Sequence, residues 1–388
     1  MVQLLARWRI KDYKNVTSPP VRRAYGILCG ALGIGLNILL FAGKLLAGLF
    51  SGSIAITVDA FNNLSDAGSS LITMIGFKLA GQKPDPEHPF GHGRLEYISG
   101  LVVALAIILM GVELSKTSVD KILHPEAVEF SVMVILILVI SILVKVYMAY
   151  YNRKIGREID SAAMRATAMD SLSDCLATGM VLLSMMVSHL TGWNIDGYAG
   201  ILVAAFILYA GYRAGKETLS PLLGQPPDPE FVEQIRRMVL AHHEVRGIHD
   251  MVVHDYGPGR RIVSLHAEVP STSDFVEIHE TIDHIERRLS ETLDCKAAIH
   301  MDPIVLDDER VNQMRLQMAA LVCELDERLT IHDFRMVAGP TCTNVIFDVV
   351  VPFDLKMSEA QILEDLCGRI EKLEDGYRGV LQIDRAYV

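Results

Sequence analysis

Residues 161–188, SAAMRATAMDSLSDCLATGMVLLSMMVS, have a length and hydropathy suited to a lipid bilayer but include two carboxylates, Asp170 and Asp174. A helix crosses the bilayer core with about 20 mostly apolar residues. A charge in the hydrocarbon costs about 2.5 to 3.5 kcal/mol on insertion scales, so a carboxylate there indicates function. The two residues are four positions apart and share one helical face. The segment therefore predicts a membrane helix with a functional acidic face.

Five further stretches have a similar length and apolar character, so the sequence predicts six transmembrane helices. The other five cover residues 24–49, 53–80, 95–117, 129–151 and 195–215. Hydrophobic residues make up 51% of the 388 residues, which excludes a disordered chain and an ordinary soluble globular protein. The first stretch lacks a small-residue cleavage pattern, so we expect a retained span and not a signal peptide.

The second stretch carries a comparable polar face, on which Asn62 and Asp66 are four positions apart. If this face meets that of residues 161–188, the side chains of both pairs converge on one point. Three carboxylates so close together cannot all stay ionised without a cation, so we expect metal to exchange with protons there. The alternative is that these side chains only form hydrogen bonds between helices. Asp59, one turn earlier, is either an accessory ligand or a helix-end hydrogen-bonding group.

Lys and Arg are concentrated on one side of the predicted bundle, which sets its orientation. They lie in the N-terminal arm, residues 1–23, and in the links after the second and fourth stretches. This distribution predicts that both termini are cytoplasmic and that residues 24–216 form a multi-pass domain in a bacterial-type inner membrane. Lys44 and Lys145 lie within spans near their ends, where such side chains snorkel or pair.

The chain changes character after residue 216. Residues 1–216 carry a net charge of +4, and residues 217–388 carry a net charge of −15. The acidic part repels nucleic acid and attracts cations, so nucleic acid is not an expected partner. The six cysteines have no CxxC or disulfide-framework spacing, which indicates a reducing compartment for this part.

The acidic part contains an internal repeat at a shift of 82 or 83 residues, since residues 248–250, IHD, recur as residues 331–333. Each copy reads as helices and alternating strands separated by a Gly-Pro turn. We therefore expect two tandem α+β ferredoxin-like modules, residues 217–306 and residues 307–388.

The link between the second and third stretches reads DPEHPFGHGRLEY over residues 85–97, in which Asp85, His88 and His92 have metal-ligand character. The pattern HPFGHGRLEYISGL, the six spans, their polar pairs and the tail segments LHAEVP and IHMDP together resemble the cation diffusion facilitator family of divalent-metal/proton antiporters. The resemblance covers about residues 24–304. It implies a homodimer that exports metal by alternating access and a cytoplasmic domain that dimerises and senses metal.

The resemblance also implies three metal sites in each chain. The transport site falls on Asn62, Asp66, Asp170 and Asp174. A modulatory loop site falls on Asp85, His88 and His92, for which a structural turn is the alternative. A cytoplasmic site falls on His249, His266, His279, His300 and Asp302, for which ordinary surface residues are the alternative.

The ligand types favour one substrate. Zinc-transporting members have His at one or both of the first positions of the pairs, which are Asn62 and Asp170 here. Hard oxygen ligands without imidazole suit Mn2+ better than Zn2+, and the set resembles the manganese-exporting branch. The alternatives are a Zn2+ or Fe2+ exporter of the same family and a non-transporting, membrane-anchored metal sensor. No catalytic motif or resident cofactor is indicated, so we expect a secondary transporter and not an enzyme.

The second module departs from the family pattern at its ligand positions. Asp348, Gln361 and Gln382 replace three histidines of the first module, which leaves His332 and Asp384. We therefore expect this copy to have lost its metal sites and kept its fold.

Overall fold

The computed structural model describes residues 2–16, 18–51, 54–124, 132–191, 193, 195–339, 342–373 and 376–386. The chain forms two compact units, each described by itself below. The first comprises Met1–Gln225 with Asp255–Arg260, and the second comprises Pro226–His254 with Arg261–Val388.

The first unit is helical. Its helices are α1 (Val2–Arg9), α2 (Pro19–Ser51), α3 (Ile54–Ala80), α4 (Leu95–Leu123), α5 (Val132–Glu158), α6 (Ala162–Thr191) and α7 (Asp196–Leu223). Helix α2 packs on α3, α4 on α7, and α5 on α6. Among the described residues, five helices are long and apolar enough to cross a membrane, namely α2 and α4 to α7.

Helix α3 is the remaining predicted span. It has 27 residues, a length comparable to its neighbours, but it is not among the five helices whose described residues are apolar enough to cross a membrane. Asn62, Asn63 and Asp66 all lie on this helix. Five of the six predicted spans therefore have the expected character, and a sixth span through α3 stays a prediction.

A buried ion pair joins α2 to α4. The guanidinium of Arg22 makes two hydrogen bonds to the carboxylate of Glu96, one of them 2.8 Å long from Nη2 to Oε1. Ser161 Oγ donates to Glu96 Oε1 at 2.7 Å, and Arg22 Nε donates to the carbonyl oxygen of Ile159 at 2.5 Å. Glu96 is only 1% exposed. Arg22, counted with the basic arm in the sequence, therefore stabilises the helix bundle from inside α2.

Small residues allow the close approach of α4 to α6. A Cβ atom added at Gly100 would lie 2.9 Å from the Cα atom of Ala163 and 2.7 Å from a methyl group of Thr218. Real Cβ atoms do not come so near a neighbouring backbone, so any larger residue would push these helices apart. The packing thus depends on glycine at this position.

The second unit contains the repeated modules. The first module consists of α8 (Pro229–Leu240), β1 (Gly247–Asp255), β2 (Arg261–Pro270), α9 (Phe275–Leu293) and β3 (Cys295–Ile304). The second consists of α10 (Glu309–Cys323), β4 (Thr330–Ala338), β5 (Thr343–Pro352), α11 (Glu359–Ile370) and β6 (Tyr377–Ala386). The two sheets have the orders β1-β2-β3 and β4-β5-β6. Each module therefore repeats one αββαβ order, and its more specific ferredoxin-like assignment stays a prediction.

Local sequence explains where the four helices of this unit begin. Asp228, Asp274 and Asp308 cap α8, α9 and α10 by accepting backbone N–H groups of the first turn. Ser358 and Gln361 form a reciprocal capping box at the start of α11. Each module also buries a separate apolar core between its helices and one sheet face. The histidines of the strands do not belong to these apolar cores, so their side chains can serve as metal ligands.

Candidate metal centres

Three carboxylates from two helices come together inside the first unit. Asp66 lies on α3, Asp170 and Asp174 lie on α6, and one oxygen of each lies within 4.8 Å of the others. Asp170 is 7% exposed. The side chains of Asp66 and Asp174 are 14% and 13% exposed. The structure thus brings together three of the four residues predicted for the transport site.

A threonine pair fixes the crossing of α3 and α6 beside this cluster. Thr73 Oγ1 and Thr167 Oγ1 are 2.8 Å apart and hydrogen-bonded. Thr73 follows Asp66 by seven residues and Thr167 precedes Asp174 by seven residues, which is about two helical turns in opposite chain directions. The two helices are therefore antiparallel here, and both contacts lie along the same seam.

An ammonium group from α5 lies between two of the carboxylates. Lys145 Nζ is 2.6 Å from Asp66 Oδ2 and 2.6 Å from Asp174 Oδ2. Lys145 is 4% exposed, so it pairs inside the bundle and does not snorkel. Its place in the cluster was not predicted, because pairing partners 79 and 29 positions away leave no local sequence signal. When ionised, the three carboxylates outweigh this ammonium and that of the buried Lys44, which also interacts with Asp66, so the cluster keeps a net negative charge.

Asn62, the amide predicted as the fourth ligand, is exposed, unlike the three carboxylates of the cluster. It lies one turn before Asp66 on α3, whereas the neighbouring Asn63 is 2% exposed. The side chain of Asp59 lies outside the described residues. Coordination by Asn62 and an accessory role of Asp59 therefore stay predictions.

The loop between α3 and α4 brings its three predicted ligands together. His88 Nδ1 and His92 Nε2 each lie 3.3 Å from a carboxylate oxygen of Asp85. The backbone N–H of His88 donates to Asp85 Oδ1 at 2.6 Å, and this hydrogen bond holds the pKa of Asp85 below its usual value. Since Asp85 stays ionised and His92 Nδ1 is buried without a hydrogen bond, the group offers a carboxylate and imidazole nitrogens to a metal ion.

The first cytoplasmic module brings together four of its five predicted ligands, with three histidines around the carboxylate of Asp302. Asp302 Oδ2 lies 2.8 Å from His266 Nδ1 and 3.1 Å from His249 Nε2, and Asp302 Oδ1 lies 3.2 Å from His300 Nε2. His266 and His300 are register partners on the parallel strands β2 and β3. His279 is exposed on α9 and does not join the ligand groups found among the described residues.

The second module also gathers possible ligands, although the sequence predicts that it has lost its metal sites; that prediction stays untested. Ligand atoms of His332, Asp348 and Asp384 lie within 4.8 Å of one another. Burial and the nearby Asp384 raise the pKa of Asp348 above its usual value. The expectation rested on the loss of imidazoles, but a carboxylate at position 348 is itself a metal ligand.

Comparisons with known proteins agree with this arrangement. Residues 31–223 match the model of the cation efflux transmembrane domain, and residues 227–304 match that of the cation efflux protein cytoplasmic domain. An uncharacterized transporter of Methanocaldococcus jannaschii is 32% identical over 267 residues, which covers 69% of this chain and 94% of that protein.

Two further relatives bear the name cation-efflux pump FieF. The Klebsiella pneumoniae protein is 25% identical over 288 residues, covering 73% of this chain and 95% of its own. The Cronobacter sakazakii protein is 27% identical over 266 residues, which covers 68% of this chain and 88% of that protein. With a buried carboxylate cluster among apolar helices, these matches show that the chain belongs to the cation diffusion facilitator family, whose members are multi-pass membrane transporters for efflux of divalent metals and not enzymes.

Proposed function

We propose that the protein exports Mn2+ from the cytoplasm in exchange for protons, as a homodimer that alternates between inward-open and outward-open states. The observation that carries this proposal is the all-carboxylate cluster of Asp66, Asp170 and Asp174. Within the described helices α2 to α7 the one histidine is His189, which lies in the last turn of α6. Oxygen ligands without imidazole favour Mn2+ over Zn2+.

The charge of the cluster supports proton coupling. Without metal, the three carboxylates outnumber the buried ammonium groups of Lys145 and Lys44, so a net negative charge would remain inside the helix bundle, where ions are poorly solvated. Protonation of carboxylates lowers this charge, and an incoming divalent cation displaces the bound protons. Metal and protons therefore bind in alternation, which an antiporter requires.

Besides the metal ion and the protons, the Lys145 ammonium also binds to these carboxylates. This ammonium contacts one carboxylate oxygen of Asp66 and one of Asp174, two of the three residues that we propose as metal ligands. A metal ion must replace these contacts, and the ammonium can return to them when the metal leaves. Lys145 thereby acts as a tethered cation that favours release of the substrate.

The coordination shell of Mn2+ needs more than three carboxylates. Octahedral oxygen coordination is typical of this ion. Asn62, on the same face of α3 as Asp66, is our candidate for a neutral ligand, and water would supply the remaining positions.

A transport assay distinguishes this proposal from its rivals. Full-length protein in proteoliposomes with an imposed pH gradient would be offered Mn2+, Fe2+, Co2+, Zn2+ and Cd2+ in turn. We expect gradient-driven transport with Mn2+ preferred, and its loss in Asp170→Asn. The control is Asp120→Asn, whose carboxylate is 75% exposed at the end of α4. A preference for Zn2+ or Fe2+ would refute the substrate, and unchanged transport in Asp170→Asn would favour the membrane-anchored sensor.

The orientation in the inner membrane is a further part of the proposal. Basic residues of the N-terminal arm include Arg7 and Arg9 in the last turn of α1, as expected for a cytoplasmic segment. A fluorescent protein that folds only in the cytoplasm, fused after residue 388, should fluoresce. Dark fusions at normal expression would place the C-terminus outside.

A further inference from the structure

The two cytoplasmic modules carry equivalent triads of metal-ligand side chains. One triad comprises His249, His266 and Asp302, and the other comprises His332, Asp348 and Asp384. Each triad draws one residue from each of the three strands of its sheet. The corresponding residues are separated by the repeat shift of 82 or 83 positions. The second triad is therefore the counterpart of the first, with a carboxylate in place of one imidazole.

The two triads meet at the boundary between the modules. The ring centroids of His249 and His332 are 4.4 Å apart. Asp250 lies between them, with Oδ2 at 3.3 Å from His249 Nδ1 and Oδ1 at 3.6 Å from His332 Nε2. One carboxylate of the first module thus faces an imidazole of each module.

The imidazoles at this boundary are buried without ordinary partners. The side chains of His249 and His332 are each 8% exposed. Neither ring nitrogen of His249 makes a hydrogen bond, although carboxylate oxygens lie 3.1 and 3.3 Å away, and Nδ1 of His332 also lacks one. Buried polar groups normally find partners. Nitrogen and oxygen atoms that are close but not hydrogen-bonded are suited to a shared cation.

The backbone repeats at the same point in both modules. Asp250 has φ of 49° and Asp333 has φ of 51°, the left-handed region that non-glycine residues rarely adopt. The two modules therefore share the local distortion that directly follows His249 and His332. The side chains then differ, because Asp333 pairs with Arg335 of its own strand whereas Asp250 faces the other module.

We propose that His332, Asp348 and Asp384 bind a divalent transition-metal ion, and that Asp250 and His249 join this site to the ligands of the first module. The second module would thereby hold metal and be clamped to the first within a single chain. Its ligands include two carboxylates and one imidazole, so its site is harder than the histidine-rich cluster around Asp302 and should bind Mn2+ as well as Zn2+. This inference does not depend on the proposed transport function.

Metal stoichiometry tests the inference. Full-length protein in detergent would be dialysed to equilibrium against Mn2+ alone or Zn2+ alone, and the bound metal per chain measured by mass spectrometry. We expect Asp384→Asn and His332→Gln each to bind one equivalent less than wild type. The matched controls are Asp333→Asn, on the same strand but paired with Arg335, and His243→Gln, whose ring is 91% exposed.

Several outcomes are decisive. Wild-type stoichiometry of both metals in Asp384→Asn and His332→Gln would overturn the inference. If His332→Gln fails to fold, the nearly isosteric Asp384→Asn decides, with circular dichroism confirming its fold. Asp170→Asn should retain the cytoplasmic equivalent, so failure of the transport proposal is distinguishable from failure of this one. Loss of metal-induced thermal stabilisation in Asp384→Asn, with Asp333→Asn unchanged, would support metal binding in the second module; full stabilisation in Asp384→Asn would contradict it.

Discussion

Lys145 Nζ lies 2.6 Å from Asp66 Oδ2, although the two residues are 79 positions apart in the chain. This contact places a positive charge from α5 against an acidic residue of α3 inside the bundle. The partner oxygen belongs to the cluster that we propose as the substrate site. On this proposal, Mn2+ would compete with the Lys145 ammonium for the same carboxylates.

Lys145→Gln should raise the apparent affinity for Mn2+ by at least about tenfold, or ~1.4 kcal/mol. The substitution removes the competing ammonium and one opposing charge, while Gln keeps most of the side-chain volume. It should also slow turnover and increase the number of protons released when metal binds. Competition binding and proton release in detergent would measure both effects.

The control for this substitution is Lys116→Gln, whose side chain is 72% exposed near the end of α4. It should leave binding and turnover unchanged. A folded Lys145→Gln protein with unchanged or weaker Mn2+ binding would contradict the competition.

Asn62→His should shift substrate preference toward Zn2+. An imidazole on the face of α3 that carries Asp66 adds a softer ligand to the oxygen set. The measurement is the ratio of Mn2+ to Zn2+ transport in proteoliposomes, compared with Asn63→His, whose parent amide is buried beside it. An unchanged ratio in Asn62→His would remove Asn62 from the site.

Glu96→Gln should destabilise the helix bundle by about 3 to 5 kcal/mol, the usual effect of breaking a buried ion pair. The change leaves the guanidinium of Arg22 with a neutral partner in a buried position. Thermal unfolding of the detergent-solubilised protein would report the loss. Glu113→Gln is the matched control because that side chain is 75% exposed; equal melting temperatures would show that the pair adds little.

Asp85→Asn should remove one bound metal ion while leaving transport measurable. Asp85 contacts both His88 and His92, so the substitution takes away the carboxylate that the loop ligands share. Bound metal per chain and proteoliposome transport would be measured together. Unchanged stoichiometry would favour the alternative in which this segment is a structural turn.

The sequence predicted the acidic cluster because helical periodicity places residues four apart on one face. This rule alone was sufficient to place Asp170 and Asp174 on the same face of one helix. To place Asp66 beside them, the sequence analysis had to assume in addition that α3 and α6 pack together. The hydrogen bond between Thr73 and Thr167 supports that assumption. Local pattern was sufficient wherever the ligands share one helix or one loop.

The residues that were missed depend on the packing of distant elements. The rotation of α5 against α3 and α6 determines where Lys145 points, and no short-range pattern encodes it. Similarly, the sequence assigned Arg22 to a basic arm. Its partner Glu96 lies 74 positions away on α4, so no local pattern indicated the ion pair. In the second module, the sequence placed Asp348 at a ligand position but counted only imidazoles as ligands, so it did not predict the group that Asp348 forms with His332 and Asp384.

The location of bound Mn2+ would test the transport site without reference to activity. Anomalous scattering at the manganese edge, from crystals of the metal-loaded protein, identifies both the ion and its ligands. We predict a peak coordinated by Asp66, Asp170 and Asp174, with the ammonium of Lys145 moved away from the two carboxylates that it contacts in this structure. A peak with histidine in its coordination shell, or no manganese at these three carboxylates, would contradict the account.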